Sequence, residues 1–137
     1  DPTVITEIAE FFQKDIGYDV PVMTPFVGRN FNSTRAGIHA DGLLKDAEIY
    51  TIFDTKKLLN RPAMVEISKT SGLAGIAYWI NTNYNLSAPC EVAKNDPLVL
   101  QLKGWVDLQY EEGRQTMISH KELEEKIEEF APGRFVK

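Results

Sequence analysis

Two stretches of the chain share one frame: "DPTVITEIAEFFQKDIG" at 1–17 and "DPLVLQLKGWVDLQYEEG" at 96–113. Each opens on Asp-Pro and closes on Gly. Asp accepts from the unpaired N–H groups of a first helical turn, and Pro has the φ of that turn and no N–H to leave unmatched. Gly adopts the left-handed backbone that ends a helix. The frame therefore dictates two helices of bounded length. In the first, Val4, Ile8, Phe12 and Ile16 recur every four residues and Ile5 widens the stripe. In the second, Leu98, Leu102, Trp105 and Val106 line one side. A third helix begins at Ser119, where Ser119 and Glu122 form an S-x-x-E capping box. Leu123, Ile127 and Phe130 face inward along it, Glu122 and Lys126 make an i,i+4 pair, and Pro132 and Gly133 end it.

Weaker signals fill the space between. Residues 18–25 carry Pro21 and Pro25 and should be extended, and "FVG" at 26–28 is a short strand or an extended linker. Residues 30–58 read as a loop followed by short helical pieces, with Asp54 capping a turn over "TKKLL". "PAMVEIS" alternates, with Ala63, Val65 and Ile67 on one face and Met64, Glu66 and Ser68 on the other, which predicts a strand. Thr70 or Ser71 then caps a helix striped by Leu73, Ile76, Ala77, Ile80 and Tyr84. "NYNLSAPCEVAKN" is a loop. The fold class is mainly α with one or two short strands. We expect a linker subdomain over 1–58 and a helical C-terminal subdomain over 59–137. There is no internal repeat.

The 137 residues suffice for a domain with a core, and the net charge of −5 gives no general reason to expect nucleic-acid binding. No apolar run approaches the roughly 20 residues that span a bilayer, and no signal segment opens the chain. One cysteine, Cys90, excludes an internal disulfide framework and fits a reducing cytoplasm. With no histidine near it in sequence, Cys90 reads as an incidental thiol. The chain opens on Asp1 rather than Met, as expected of a processed chain or an excised fragment.

Chemistry concentrates in few places. His39 and His120 are far apart, and no H-x-H, H-x-x-x-H or C-x-x-C spacing occurs, so no metal site is expected within the chain. His120 reads as an exposed first-turn residue. "KTSGLAGIAYW" runs small residues into a helix start, which suits either an anion over Thr70–Gly75 or a tight turn and close helix packing at Gly72 and Gly75. The best candidate is "NFNSTRAGIHADGLLKD" at 30–46. If it opens a helical turn, Arg35 and His39 stand four apart on one side. An Arg fork binds a carboxylate and an imidazole moves a proton near neutral pH, as an enzyme acting on a 2-oxo acid requires. A solvated or interface Arg–His pair is the alternative.

At these residues the chain resembles a known family. "AGIHADGLLKDAEIY", preceded by "FVGRN" and followed by "VEISKTSGLAGIAYWI", is similar to the region after the catalytic barrel of the 2-isopropylmalate synthase / homocitrate synthase family. "NFNSTRAGIHADGLLK" and "IFDTKKLLNRP" look most like its Re-citrate synthase branch. The likeness spans roughly residues 3–130 and is strongest over 26–81. It implies a Claisen-type acyltransferase condensing acetyl-CoA with a 2-oxo acid in a TIM barrel, on a divalent metal (Mn²⁺ or Mg²⁺) that polarises the carbonyl. It also implies a homodimer in which the post-barrel helices reach the neighbouring subunit's barrel mouth. His39 would then assist proton transfer there. Arg35 would meet a substrate or CoA charge or hold the loop, with Asn30, Asn32, Ser33 and Thr34 as supporting polar groups. The family's R-D-x-x-Q strand and H-x-H metal pair do not occur, and a barrel needs about 250 residues. The chain therefore looks like a C-terminal piece, inactive alone and with no cofactor of its own. Many members carry "AFAH" where this chain has "FNST", so Thr34 stands in place of a first histidine. A non-enzymatic module for dimerisation or interdomain communication, using the apolar helix faces and the aromatic pair Tyr78 and Trp79, is the rival reading.

Overall fold

The computed structural model describes residues 1–34, 37–46 and 51–135. Six helices and a two-stranded parallel sheet occur among them: α1 Val4–Lys14, β1 Ser33–Thr34, α2 Gly37–Lys45, α3 Thr55–Leu59, β2 Met64–Val65, α4 Leu73–Asn83, α5 Pro97–Glu111 and α6 His120–Phe130. The expected class, mainly α with short strands, is the one observed. No helix among the described residues is long and apolar enough to cross a membrane.

The second Asp-Pro frame forms as written. Asp96 Oδ1 accepts from Leu98 N–H at 2.9 Å and Pro97 takes the first helical position of α5. Gly113, at φ +97°, ends it, with its N–H on Tyr110 O and that of Arg114 on Gln109 O. Arg134 grips the same capping carboxylate with both guanidinium nitrogens, at 2.9 and 2.6 Å, and so fastens the chain after α6 to the start of α5. Leu98, Val99, Leu102 and Val106 are buried on α5, and Leu123 and Ile127 on α6. Against them α4 sets Ile76, Ala77, Trp79 and Ile80. The alternation of "PAMVEIS" also holds: Ala63, Val65 and Ile67 are buried while Met64, Glu66 and Ser68 are half-exposed. Ile67 bridges to Ile118, which joins this extended segment to the entry of α6.

Several local expectations are corrected. α4 is capped at Gly72, not at Thr70 or Ser71, because the Ser71 hydroxyl is engaged in the turn before it. It accepts from Ser68 N–H at 2.9 Å and donates to Glu66 O at 3.3 Å. α1 begins at Val4, since Asp1 Oδ1 is taken by the N–H and hydroxyl of Thr3, and Pro2 and Thr3 form a turn. "FVG" is a turn, with Phe26 at φ +66°. There the chain coils so tightly that a Cβ on Gly28 would lie 2.5 Å from both Thr24 N and Val22 O. Arg61 holds this coil from outside, donating to Phe26 O and Gly28 O at 3.2 and 2.9 Å while its guanidinium covers the Phe31 ring.

The stripe of α1 does not enter the core. Only Ala9 is buried; Ile8 and Ile16 are 52% and 56% exposed, and Val4, Ile5 and Phe12 are exposed with them. The helix leans on α3 by its other side, where Thr6 Oγ1 donates to Leu59 O. Periodicity makes a face apolar; it does not supply something to cover it.

The expected Glu122–Lys126 pair is also replaced. Both oxygens of Glu122 are taken by Arg114, at 2.6 and 2.8 Å, and its Oε2 also accepts from Ser119 N–H and hydroxyl, completing the capping box. Lys126 turns to Glu129 and the Trp105 and Phe130 rings. A two-pronged guanidinium outcompetes a single ammonium for a carboxylate already aimed at the helix start. Arg114, and then the Ser119 N–H, lower the Glu122 pKa from 4.5 to about 2. A depressed carboxylate stabilises the fold above its unfolded pKa and loses that contribution as pH falls through the folded one. Acid titration of stability should therefore show a loss between 4.5 and about 2 that Glu122→Gln removes. The pair is partly solvated, so at neutral pH the substitution should cost about 1 kcal/mol, read from denaturant midpoints.

Candidate functional site

The segment 30–46 is held at both ends by structure that comes later in the chain. β1 pairs in parallel with β2, Ser33 opposite Met64 and Thr34 opposite Val65. Met64 N–H donates to Asn32 O and Glu66 N–H to Thr34 O. Val65 is buried, so β1 is pinned beside the core by its neighbour. α2 follows, and buries Ala40 and Leu43, three apart on one face, against α4. Gly75 lies at this crossing, where a Cβ would meet Ala40 Cβ and Val65 Cγ1 at 3.6 Å. That is ordinary contact, so the packing does not itself demand glycine.

This packing fixes His39. With Ala40 turned inward, the preceding side chain is exposed, beside the end of β1. His39 Nδ1 lies 3.3 Å from Thr34 Oγ1. A hydroxyl can donate to an unprotonated Nδ1 or accept from a protonated one, so Thr34 serves the imidazole in both charge states. The residue that stands in place of a histidine in the related motif is thus the one that touches His39. On the far side of α2, Asp41 binds Lys45 at 2.7 Å and Lys94 at 3.6 Å, tying the helix to the loop before α5. Lys45 first, and Lys94 second, hold the Asp41 carboxyl below its ordinary range.

The other candidates differ in what they do. Asn32 Nδ2 donates to Arg61 O at 3.2 Å and Pro62 O at 2.8 Å, so this side chain ties the loop to the entry of β2. Asn30 bonds through its backbone, N–H to Val22 O and O from Ser33 N–H. Asn32 Oδ1 and Ser33 Oγ are buried atoms with no hydrogen-bond partner among the described residues. Arg35 lies outside the described residues. At the start of α4, the Thr70 hydroxyl meets the Ser68 hydroxyl at 3.3 Å. Cys90 is exposed. His120 is exposed too, its ring set edge-on to Trp79 at 5.3 Å. Trp79 itself is buried, and the half-buried Tyr78 donates its hydroxyl to Ala63 O at 3.0 Å. Trp79 is thus part of the core, and Tyr78 packs partly against it. No group of three or more His, Cys, Asp or Glu side chains able to hold a metal ion occurs among the described residues.

Two anchors had no counterpart in the sequence reading. Arg61 acts on a loop some thirty residues earlier in the chain. Asn81 makes both bonds to Val92, N–H to Oδ1 at 2.8 Å and Nδ2 to O at 3.0 Å. A polar residue within the apolar run of α4 was the available sign of the second; the first had none.

The chain belongs to the family of the citrate (Re)-synthases and 2-isopropylmalate synthases. The chain is 57% identical over 129 residues to the citrate (Re)-synthase of Clostridium kluyveri, covering 94% of this chain and 28% of that protein. It is 49% identical to the citrate (Re)-synthase of Syntrophus aciditrophicus, over 99% of this chain and 22% of that protein. It is 35% identical to the 2-phosphinomethylmalate synthase of Streptomyces hygroscopicus, over 90% of this chain and 27% of that protein. No protein-family model matches the chain. The chain thus spans about a quarter of the length of the curated relatives it matches.

Proposed function

We propose that this chain is the post-barrel segment of a Claisen-type acyltransferase that condenses acetyl-CoA with a 2-oxo acid, oxaloacetate giving citrate. His39 is its proton-transfer group, delivered to the active site of the partner subunit in a homodimer. One observation carries this reading: an exposed imidazole, steadied by Thr34, projects from a helix seated by buried Ala40 and Leu43. An imidazole suits the step because its ordinary pKa lies near neutral pH.

The remaining parts of the reaction belong to the barrel. When bound there, the divalent metal supplies Lewis-acid polarisation of the keto group. The donor groups described in this chain do not fit such an ion, and no step assigned to the chain runs through one. The uncovered stripe of α1 supports the same reading, since an apolar face of this kind suits burial against the rest of the synthase.

Citrate formation from acetyl-CoA and oxaloacetate tests the proposal. The isolated 137-residue chain should give no turnover, and the full-length synthase containing it should give citrate. Turnover by the isolated chain would overturn the segment reading. Citrate-free condensation of another 2-oxo acid by the full-length protein would retain the class and reassign the substrate.

A further inference from the structure

A concave region lies beside α1, among residues that the proposed function does not use. Between α1 and the coil over 18–31 is a cavity of about 240 Å³, bordered by Arg29, Arg61, Lys14, Glu10 and Gln13. Gln13 and Arg29 also border an adjoining cavity of about 180 Å³ that reaches Asp19. Within the first, Lys14 and Glu10 neutralise one another at 2.8 Å. Neither Arg29 nor Arg61 makes a close ion pair among the described residues, although Glu10 acts on Arg61 through space. Arg61 spends two of its N–H groups on the carbonyls of Phe26 and Gly28, which leaves three of the five donors a guanidinium carries. Burial pushes the Arg61 guanidinium below its usual pKa, with Glu10 acting in the opposite direction from across the cavity. In a chain of net charge −5, a cavity bordered by Lys14, Arg29 and Arg61 against Glu10 alone is a local reversal of sign.

We propose that this groove binds a phosphate dianion, free or as the phosphoryl group of a larger ligand, through the guanidiniums of Arg29 and Arg61, with the Gln13 amide as a neutral donor. Two fixed positive charges call for a doubly charged anion. A tetrahedral oxyanion offers acceptors in several directions, as donors arriving from α1, the coil and the entry of β2 require. Arg61 is held by backbone carbonyls, so its half of the site is organised before the ligand arrives. Arg29 is exposed and makes no side-chain hydrogen bond or ion pair among the described residues.

Calorimetric titration of the 137-residue chain at constant ionic strength tests this, with inorganic phosphate and adenosine monophosphate as the probes. One-to-one saturable binding is expected, weakened about tenfold by Arg29→Gln, the loss of one charge-assisted contact. Lys69→Gln, on the exposed turn before α4, should leave it unchanged. Tighter binding of the nucleotide assigns the site to a phosphoryl group on a larger ligand that extends into the adjoining cavity; equal or tighter binding of phosphate assigns it to the free ion. Absence of saturable binding by either probe, or equal binding by wild type and Arg29→Gln, overturns the proposal. The outcome is independent of the role of His39.

Discussion

His39→Ala in the full-length synthase should lower turnover by about 10²–10⁴, the usual contribution of a positioned proton-transfer group. The folded structure should be unaffected. The side chain is exposed, and the residues that seat α2, Ala40 and Leu43, are untouched. Thermal unfolding of wild type and variant should therefore coincide while steady-state rates separate. Thr34→Val provides a graded version: it keeps the volume and removes the hydroxyl 3.3 Å from Nδ1. Its effect should be smaller than that of His39→Ala and should appear as a displaced pH–rate profile, because Thr34 acts through the imidazole. Delivery between subunits has a separate readout. Mixed dimers of a His39→Ala protomer with a protomer inactivated in its barrel should regain one working site in two. Unchanged turnover in His39→Ala would remove the residue from the mechanism.

Leu102→Ala should destabilise the fold by about 2–5 kcal/mol, the range for truncating a fully buried leucine. Leu102 has no exposed surface and belongs to the cluster that α4, α5 and α6 make together, with Ile76, Ile80, Leu123 and Ile127. A domain of this size has a total stability of about 5–15 kcal/mol, so the loss should remove a large part of it. Leu100, two residues earlier on the same helix and 51% exposed, is the internal control. Its truncation should change stability by about 0.5 kcal/mol or less. Urea midpoints measure both. A Leu102→Ala effect no larger than that of Leu100→Ala would mean that the three-helix core is not the cooperative unit.

The elements legible in the sequence were those whose cause is local. Asp96, Pro97 and Gly113 bracket α5 by backbone geometry that needs no partner, and the Ser119–Glu122 box is closed within four residues. The 2-residue alternation of Ala63, Val65 and Ile67 was readable because β2 has one buried face. Long-range contributions were not readable. The coil over 21–31 depends on Arg61, and β1 consists of two residues that become a strand only because Met64 and Glu66 donate to it. Glu122 offered two cations at workable spacings, and the choice between Arg114 and Lys126 was decided by a turn whose path sequence spacing does not specify. For the site, the G-I-H-x-D-G motif singled out His39. The same stretch suggested equal roles for Asn30, Asn32 and Thr34, whereas Asn30 and Asn32 hold the loop and Thr34 touches the imidazole.

The pairing of β1 with β2 spans two residues on each side, and β2 decides its register by burying Val65. A sheet has a side-chain period of two, so a slip of one residue exchanges its inner and outer faces. Adding or deleting one residue between Asn60 and Ala63 would therefore direct Met64 rather than Val65 at the core, or else drag Thr34 past its place beside His39. The 84–95 loop, fastened to α4 through Asn81 and to α2 through Lys94, has slack that this short stretch lacks. Length changes over evolutionary time can accumulate in the loop. The few residues before β2 act as a ruler for the histidine and must keep their number.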